Sequence, residues 1–272
     1  MLLISAQEVG DEREFDYGES SKKGPRHWGE LKKEWSACNH GKLQSPVDLL
    51  YQRIKLSPKL GEINMNYYKP SNATINNRGH DIAVIIIILL CCCWKIEWLE
   101  DAGSIKINGT DYFLKQCHWH SPSEHTLNGR RYQLCFVYDI RFDLELHMVH
   151  QSHEINQESK IAVTALFYKI GKPNWFLSKL TRDIINITDT KKEVHQGVID
   201  PKELGLNGSM KYYRYIGSLT VPPCTEEVLW AINTRISTVS IEQVKLLKQA
   251  VHDYAEINAR PLQPINGRYI YL

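Results

Sequence analysis

Leu114-Lys-Gln-Cys-His-Trp-His120 and Asp143-Leu-Glu-Leu-His-Met-Val-His150 are two apolar, strand-like runs, and the reading of this chain turns on them. On a β-strand, side chains at i and i+2 leave the same face. Gln116, His118 and His120 therefore point one way, and Cys117 and Trp119 the other. In the second run Glu145 and His147 share a face. If the two strands are neighbours, three imidazoles converge, with an amide and a carboxylate behind them. Three neutral imidazoles and one open position make a catalytic zinc arrangement. Gln116 and Glu145 would then each hold the far ring nitrogen of a ligand histidine. A single H-x-H is a weak signal, because strands often carry partnered surface histidines; the E-x-H on a second strand strengthens it.

Working outward, strand-like runs occur at Gly61–Tyr68, Ala73–Asn77, His80–Ile88, Lys95–Leu99, Ser104–Ile107, Tyr112–His120, Leu144–His150, Ala162–Ile170 and Val228–Thr234, with Gly, Asn and Pro between them. Helix signals are fewer. Phe176–Ile187 is apolar at helical spacing, and Ser240 with Gln243 three residues on reads as a cap before Val244–Tyr254. Trp28 and Trp35 flank a short helical or turn segment. The fold class is mainly β (α+β): one domain on a large twisted sheet with a few peripheral helices. The apolar run from Ile82 to Trp94 is too short to span a membrane, which takes about 20 apolar residues, and reads as a buried strand extension.

A chain of 272 residues, 43% hydrophobic and 24% charged, suits one large globular domain, here residues 25–272. Residues 1–24 are acidic and polar and read as a loose arm. Its start, Met-Leu-Leu-Ile-Ser-Ala6, looks like the truncated end of a signal peptide. A net charge of +2 with scattered Lys and Arg points to neither nucleic acid nor a membrane surface. The seven cysteines include the adjacent Cys91, Cys92 and Cys93 and show no C-x-x-C zinc spacing. N-x-S/T sequons at Asn72, Asn108, Asn186 and Asn207 favour a secretory route and a glycoprotein.

Seven ordered stretches carry a resemblance to the α-class carbonic anhydrases, in particular the plant branch, running from about Phe15 to Tyr271. They are Gly24-Pro-Arg-His-Trp-Gly29, Gln44-Ser-Pro-Val47, Asn77-Arg-Gly-His80, Gln116 to Thr126, Glu145-Leu-His147, Gly217 to Thr225 and Asn258-Ala-Arg-Pro-Leu-Gln-Pro264. The resemblance implies a mostly antiparallel central sheet with zinc at the base of a conical cleft, held by His118, His120 and His147. It implies reversible hydration of CO2 to bicarbonate and a proton by zinc-bound hydroxide. His80 matches the proton shuttle, and Thr220 the hydroxyl that orients the hydroxide and donates to Glu124. Val149, Val163, Leu219, Val221 and Trp230 match the apolar CO2 pocket. The resemblance implies a disulfide between Cys38 and Cys224; read without it, both are free thiols. CO2 and bicarbonate are the implied partners, the chain a monomer or weak dimer, and the location extracellular or chloroplast by the secretory route. His125, His150 and His153 are not expected as ligands.

Two stretches depart from the plant pattern. About ten extra apolar residues lie between Asp81 and Glu97, and Gln133–Phe142 intervenes between Arg131-Tyr132 and Asp143. Both are expected to protrude or lengthen hairpins. The second lies between the ligand strands, where a one-residue slip would turn His147 to the wrong face. Hence the alternative function: a weak or inactive carbonic anhydrase-like protein, akin to tuber storage proteins or disrupted by the two insertions.

Overall fold

The two histidine runs are neighbouring strands of one sheet. The computed structural model describes residues 14–57, 63–67, 70–77, 82–86, 102–129, 142–153, 160–188, 193–206, 211–251 and 256–272. In chain order the strands are β1 (Asp48–Leu49), β2 (Ile54–Lys55), β3 (Asn64–Asn66), β4 (Ser71–Asn77), β5 (Ile82–Ile86), β6 (Ser104–Ile107), β7 (Thr110–His120), β8 (Thr126–Leu127), β9 (Leu144–Ser152), β10 (Ile161–Ile170), β11 (Glu193–Ile199), β12 (Tyr212–Ser218), β13 (Glu226–Val239) and β14 (Ile270–Tyr271). The α-helices are α1 (Trp28–Leu31), α2 (Ala37–His40), α3 (Trp175–Asn186) and α4 (Ile241–Ala250).

Among the described residues, twelve strands form one sheet, ordered β11-β4-β5-β7-β9-β10-β13-β12-β14-β2, with β3 attached through β6 to β7. Pairing is parallel at β10–β13 and β14–β2 and antiparallel elsewhere in this sheet. The sheet is therefore mixed and mostly antiparallel, as the sequence implied. Its middle is buried on both faces. β10 reads Ile-Ala-Val-Thr-Ala-Leu-Phe-Tyr before its exposed end, a β-branched and aromatic run suited to a covered strand.

One face packs against the helices. Cys117, Trp119, Leu146 and Met148 meet Phe176, Leu180 and Ile184 of α3 and Leu247 of α4. Asn174 caps α3 by accepting from the Leu177 N–H, and Ser240 with Gln243 forms a capping box on α4. Caps of this kind contribute about 1 kcal/mol each. Gln243 also accepts from the Asn174 N–H and donates to the Asn174 carbonyl, locking the two helix starts together.

The opposite face buries Val149, Val163, Ala165, Tyr215 and Trp230. A third cluster joins Phe15, Tyr17, Trp28, Trp35, Cys38, Val221 and Cys224. It corrects the loose-arm expectation for residues 14–24. Phe15 is 1% exposed, and the Trp28 indole N–H lies within reach of both the Asp16 and Lys23 carbonyls, so the aromatic residues fold the arm back. The stretch expected to be a signal remnant lies outside the described residues.

Sequence reading missed β11 and β12, as well as the two-residue strands β1, β2, β8 and β14. Tyr-Tyr-Arg-Tyr-Ile-Gly-Ser hides a strand because Arg and Gly interrupt it. Gly217 is required by close approach: a Cβ there would lie 2.2 Å from Ser45 Oγ and 2.9 Å from Trp230 Cδ1. Most of the first added stretch lies outside the described residues, but Ile82–Ile86 forms β5, hydrogen-bonded between β4 and β7. Of the second, Phe142 is described, and it does not protrude. It stacks on Phe167 at 4.4 Å between centroids, and its N–H donates to Ser123 Oγ.

Candidate metal centre

β7 and β9 pair with His118 opposite His147 and His120 opposite Glu145. The added stretch between the strands therefore leaves the register intact. A bulge between Leu114 and Gln116 matters as much. Leu114 is buried on the helix-packed face with Cys117 and Trp119. The extra residue, Lys115, places Leu114 on that face three residues before Cys117, while Gln116 keeps its i, i+2 relation to His118.

His118, His120 and His147 are 3%, 0% and 1% exposed. One nitrogen from each lies within 4.8 Å of the others. The remaining nitrogens face oxygen acceptors. His118 Nδ1 is 2.8 Å from Gln116 Oε1, His120 Nδ1 is 2.6 Å from the Asn258 carbonyl, and His147 Nε2 is 3.0 Å from Glu145 Oε1. A carbonyl or carboxylate can only accept, so each of these nitrogens carries the proton. The lone pairs are left on Nε2 of His118 and His120 and on Nδ1 of His147. Burial lowers the His147 ring below its ordinary value against the opposing pull of Glu145, which keeps it neutral.

Two atoms in the cluster are buried without hydrogen-bond partners: His120 Nε2 and Glu124 Oε2. They are 3.7 Å apart, and Glu124 Oε2 is 4.0 Å from His147 Nδ1. Unpaired buried polar atoms are costly. A divalent cation bound by the three imidazoles would satisfy the first of them, so this residue set fits a metal.

Glu145 organises the surroundings. Its Oε2 accepts from the Glu124 and His125 backbone N–H groups at 2.8 and 2.9 Å, and its Oε1 from His125 Nδ1 at 2.8 Å as well as from His147. Burial works to raise this carboxyl, but His125 and His147 outweigh it and hold it well below the usual carboxylate range. His125 Nε2 is 2.7 Å from the Tyr215 hydroxyl, which is 2.8 Å from Ser45 Oγ. A hydrogen-bonded chain thus runs from His147 to Ser45. His125 and Glu145 also group with His147 as possible metal donors. Their direct bond to each other argues for the supporting role instead.

Sequence reasoning missed His125, Tyr215 and the Asn258 carbonyl. A backbone carbonyl has no residue signature. Asn258 reaches its place because its side chain accepts from the Ser121 N–H and donates to the Trp119 carbonyl, clamping that segment to the end of β7. Two residues on, the Arg260 N–H donates to Glu124 Oε1, while its buried guanidinium donates to Gln44 Oε1, the Ser45 carbonyl and the Cys38 carbonyl.

Of the remaining expected site residues, Val149, Val163, Leu219 and Trp230 share one apolar cluster, with Val149 opposite Val163 and Val163 opposite Trp230 across the sheet. Trp230 sits edge-on to His147 at 4.9 Å between centroids. Val221 does not join them; it packs with Trp28 and the disulfide in the third cluster. Thr220 is 5% exposed, but the expected hydrogen bond to Glu124 is not formed: Oε1 is taken by Arg260, and Oε2 has no partner. Cys38 and Cys224 form a disulfide, with Cα atoms 5.0 Å apart. His80 lies outside the described residues. His150 lies behind the sheet, its Nε2 2.7 Å from the Tyr67 hydroxyl, and His153 is exposed.

Three buried imidazoles on adjacent strands, each with its far nitrogen anchored, define a class: β-sheet proteins with a three-histidine cluster fit to hold a metal. Residues 23–272 match the model of the eukaryotic-type carbonic anhydrases, and the chain belongs to that family of enzymes. It is similar to alpha carbonic anhydrase 7 of Arabidopsis thaliana, 47% identical over 266 residues that cover 97% of this chain and 86% of the relative. Among solved structures it is similar to dioscorin complexed with ascorbate, with TM-score 0.81, 40% identity, and 95% and 97% of the two chains covered. It is also similar to the α-carbonic anhydrase of Thermovibrio ammonificans in complex with the inhibitor sulfanilamide, with TM-score 0.75, 31% identity, and 95% and 98% covered. No described helix is long and apolar enough to cross a membrane, and the disulfide fits a secreted or lumenal protein.

Proposed function

We propose that this chain is an active zinc carbonic anhydrase that interconverts CO2 and bicarbonate. The observation that carries the reading is the convergence of one nitrogen each from His118, His120 and His147, with His120 Nε2 otherwise orphaned in a buried site. Zinc held there supplies Lewis-acid activation of water, making a nucleophile available near neutral pH, a general property of catalytic zinc for which the carbonic anhydrases are themselves the standard worked example.

The chain's own residues do the rest. Gln116, the Asn258 carbonyl and Glu145 fix the three tautomers, so that a lone pair is presented without a proton having to leave. Glu124 Oε2 is the acceptor aimed at the cluster, and Thr220 is the hydroxyl assigned to orient the nucleophile. Val149, Val163, Leu219 and Trp230 form the apolar wall that receives uncharged CO2. His80 is assigned the export of the proton, which calls for a group titrating near neutrality. The protein is assigned to the secretory route.

Elemental analysis paired with a stopped-flow CO2 hydration assay tests this. One zinc per chain and hydration well above the uncatalysed rate are expected, with both lost together in His118→Ala. A folded, zinc-loaded protein with no hydration above background would overturn the reading. The similarity to dioscorin is compatible with a second reading, a carbonic anhydrase-like protein that is catalytically weak or inactive; turnover at full zinc occupancy separates the two.

A further inference from the structure

The function proposed above uses none of the four N-x-S/T sequons, and the three among the described residues are not equivalent. Asn72-Ala-Thr74 runs along β4, hydrogen-bonded to β11 on one side and β5 on the other, and Thr74 is 0% exposed. Asn186-Ile-Thr188 closes α3; Ile187 is 0% exposed, and the Thr188 hydroxyl donates to the Ile184 carbonyl at 3.2 Å. Asn108-Gly-Thr110 is different. Ile107 pairs with Thr110, so Asn108 and Gly109 are the two-residue turn between β6 and β7. Their φ values are 51° and 84°, both left-handed, as a tight type I′ hairpin turn requires. Both residues are exposed. A Cβ built on Gly109 meets nothing within 4 Å, so the turn tip stands in open space.

We infer that Asn108 is an N-glycosylation site: Asn72 and Asn186 are exposed too, but among the described sequons only Asn108 sits in a tight turn with its middle residue also exposed. Asn is at home in the left-handed turn, its side chain is exposed, and Thr110 sits at the very start of β7, beside the turn. The donor class is an oligosaccharide linked to a polyprenyl diphosphate. The Asn108 carboxamide nitrogen forms a C–N bond to the anomeric carbon, the anomeric C–O bond to the diphosphate breaks, one carboxamide proton is released, and polyprenyl diphosphate leaves. No electrons change hands.

The placement explains how a bulky glycan can coexist with the site. Thr110 and His118 stand at opposite ends of β7, eight residues or about 26 Å apart at roughly 3.3 Å per residue. The glycan would shield the hairpin tip and leave the metal cluster open. The assignment rests on the secretory part of the proposed function, and the test separates the two.

The full chain is expressed behind a heterologous secretory leader with a C-terminal reporter sequon, and only reporter-glycosylated protein is collected, so every molecule analysed has met the transferase. Peptide N-glycanase in ¹⁸O-water then marks occupied asparagines for mass spectrometry. The peptide with Asn108 should be marked, Asn108→Gln should remove one glycan's worth of gel shift with CO2 hydration unchanged, and Asn72→Gln should leave the pattern as in the parent. An unmarked Asn108 in reporter-glycosylated protein overturns the assignment. Fractionation of the native protein from its source tissue tests the other part: if it lies in the cytosol while Asn108 is marked behind the leader, the secretory reading fails and this one stands.

Discussion

Glu145→Gln is the sharpest probe of how the cluster is held. The carboxylate faces two kinds of donor. On one side are two backbone N–H groups, from Glu124 and His125 at 2.8 and 2.9 Å; on the other are two imidazoles, His125 and His147 at 2.8 and 3.0 Å. A glutamine offers one oxygen and one NH2 in the same space. The backbone donors cannot change sign, and leaving both unpaired would cost about 1–3 kcal/mol each. The glutamine oxygen therefore turns to the backbone and its NH2 to the rings. His125 can adapt by protonating Nε2 and donating to Tyr215. His147 can adapt only by accepting at Nε2, which moves its proton to Nδ1, the nitrogen needed for the metal. Loss of such an outer hydrogen bond typically weakens metal affinity 10- to 100-fold, about 1.4–2.7 kcal/mol. Zinc competition against a chelator measures this, and thermal unfolding of the metal-free protein serves as the control. The expected result is weaker zinc binding with little change in apo stability. Unchanged zinc affinity would refute the tautomer argument, and an equal collapse of apo stability would show that Glu145 serves packing instead.

Three further outcomes follow from the same structure. The Cys38–Cys224 disulfide closes a loop of sequence separation 186, so Cys38→Ser/Cys224→Ser should lose about 2–5 kcal/mol in urea unfolding; no loss would mean that the third cluster holds without it. Burial lowers the His150 ring to about 3. The unfolded chain takes up that proton near pH 6.5 and the folded chain does not, so stability is full above about 6.5 and falls as the pH drops toward 3, by about 3 kcal/mol at pH 4. His150→Gln should flatten that part of the urea-midpoint profile, and a parallel profile would count against it. His80→Ala should slow maximal turnover in weak buffer with zinc content intact, and small imidazole buffers should restore it; equal rates in weak buffer would assign proton export to another group.

Much of the site is local, and so it was legible. The i, i+2 rule puts His118 with His120 and Glu145 with His147 on their faces whatever the rest of the chain does. The capping box at Ser240 and the apolar period of α3 are equally local. The resemblance to the family added the pairing of Cys38 with Cys224 and the identity of the apolar wall, because both join residues far apart in sequence. Other features could be settled only by tertiary structure, since each depends on which backbone lies opposite. The bulge at Lys115 turns Leu114 to the helix-packed face, the intact β7–β9 register sets His147 against His118, and the Asn258 carbonyl anchors His120. His125 reads as a neighbour of Glu124 with no task, and becomes a link from Glu145 to Tyr215 only when β9 and β12 bring those side chains to it. Residue spacing determines the face a side chain takes; the donor or acceptor it meets there is decided by strand pairing and by chain segments more than a hundred residues away.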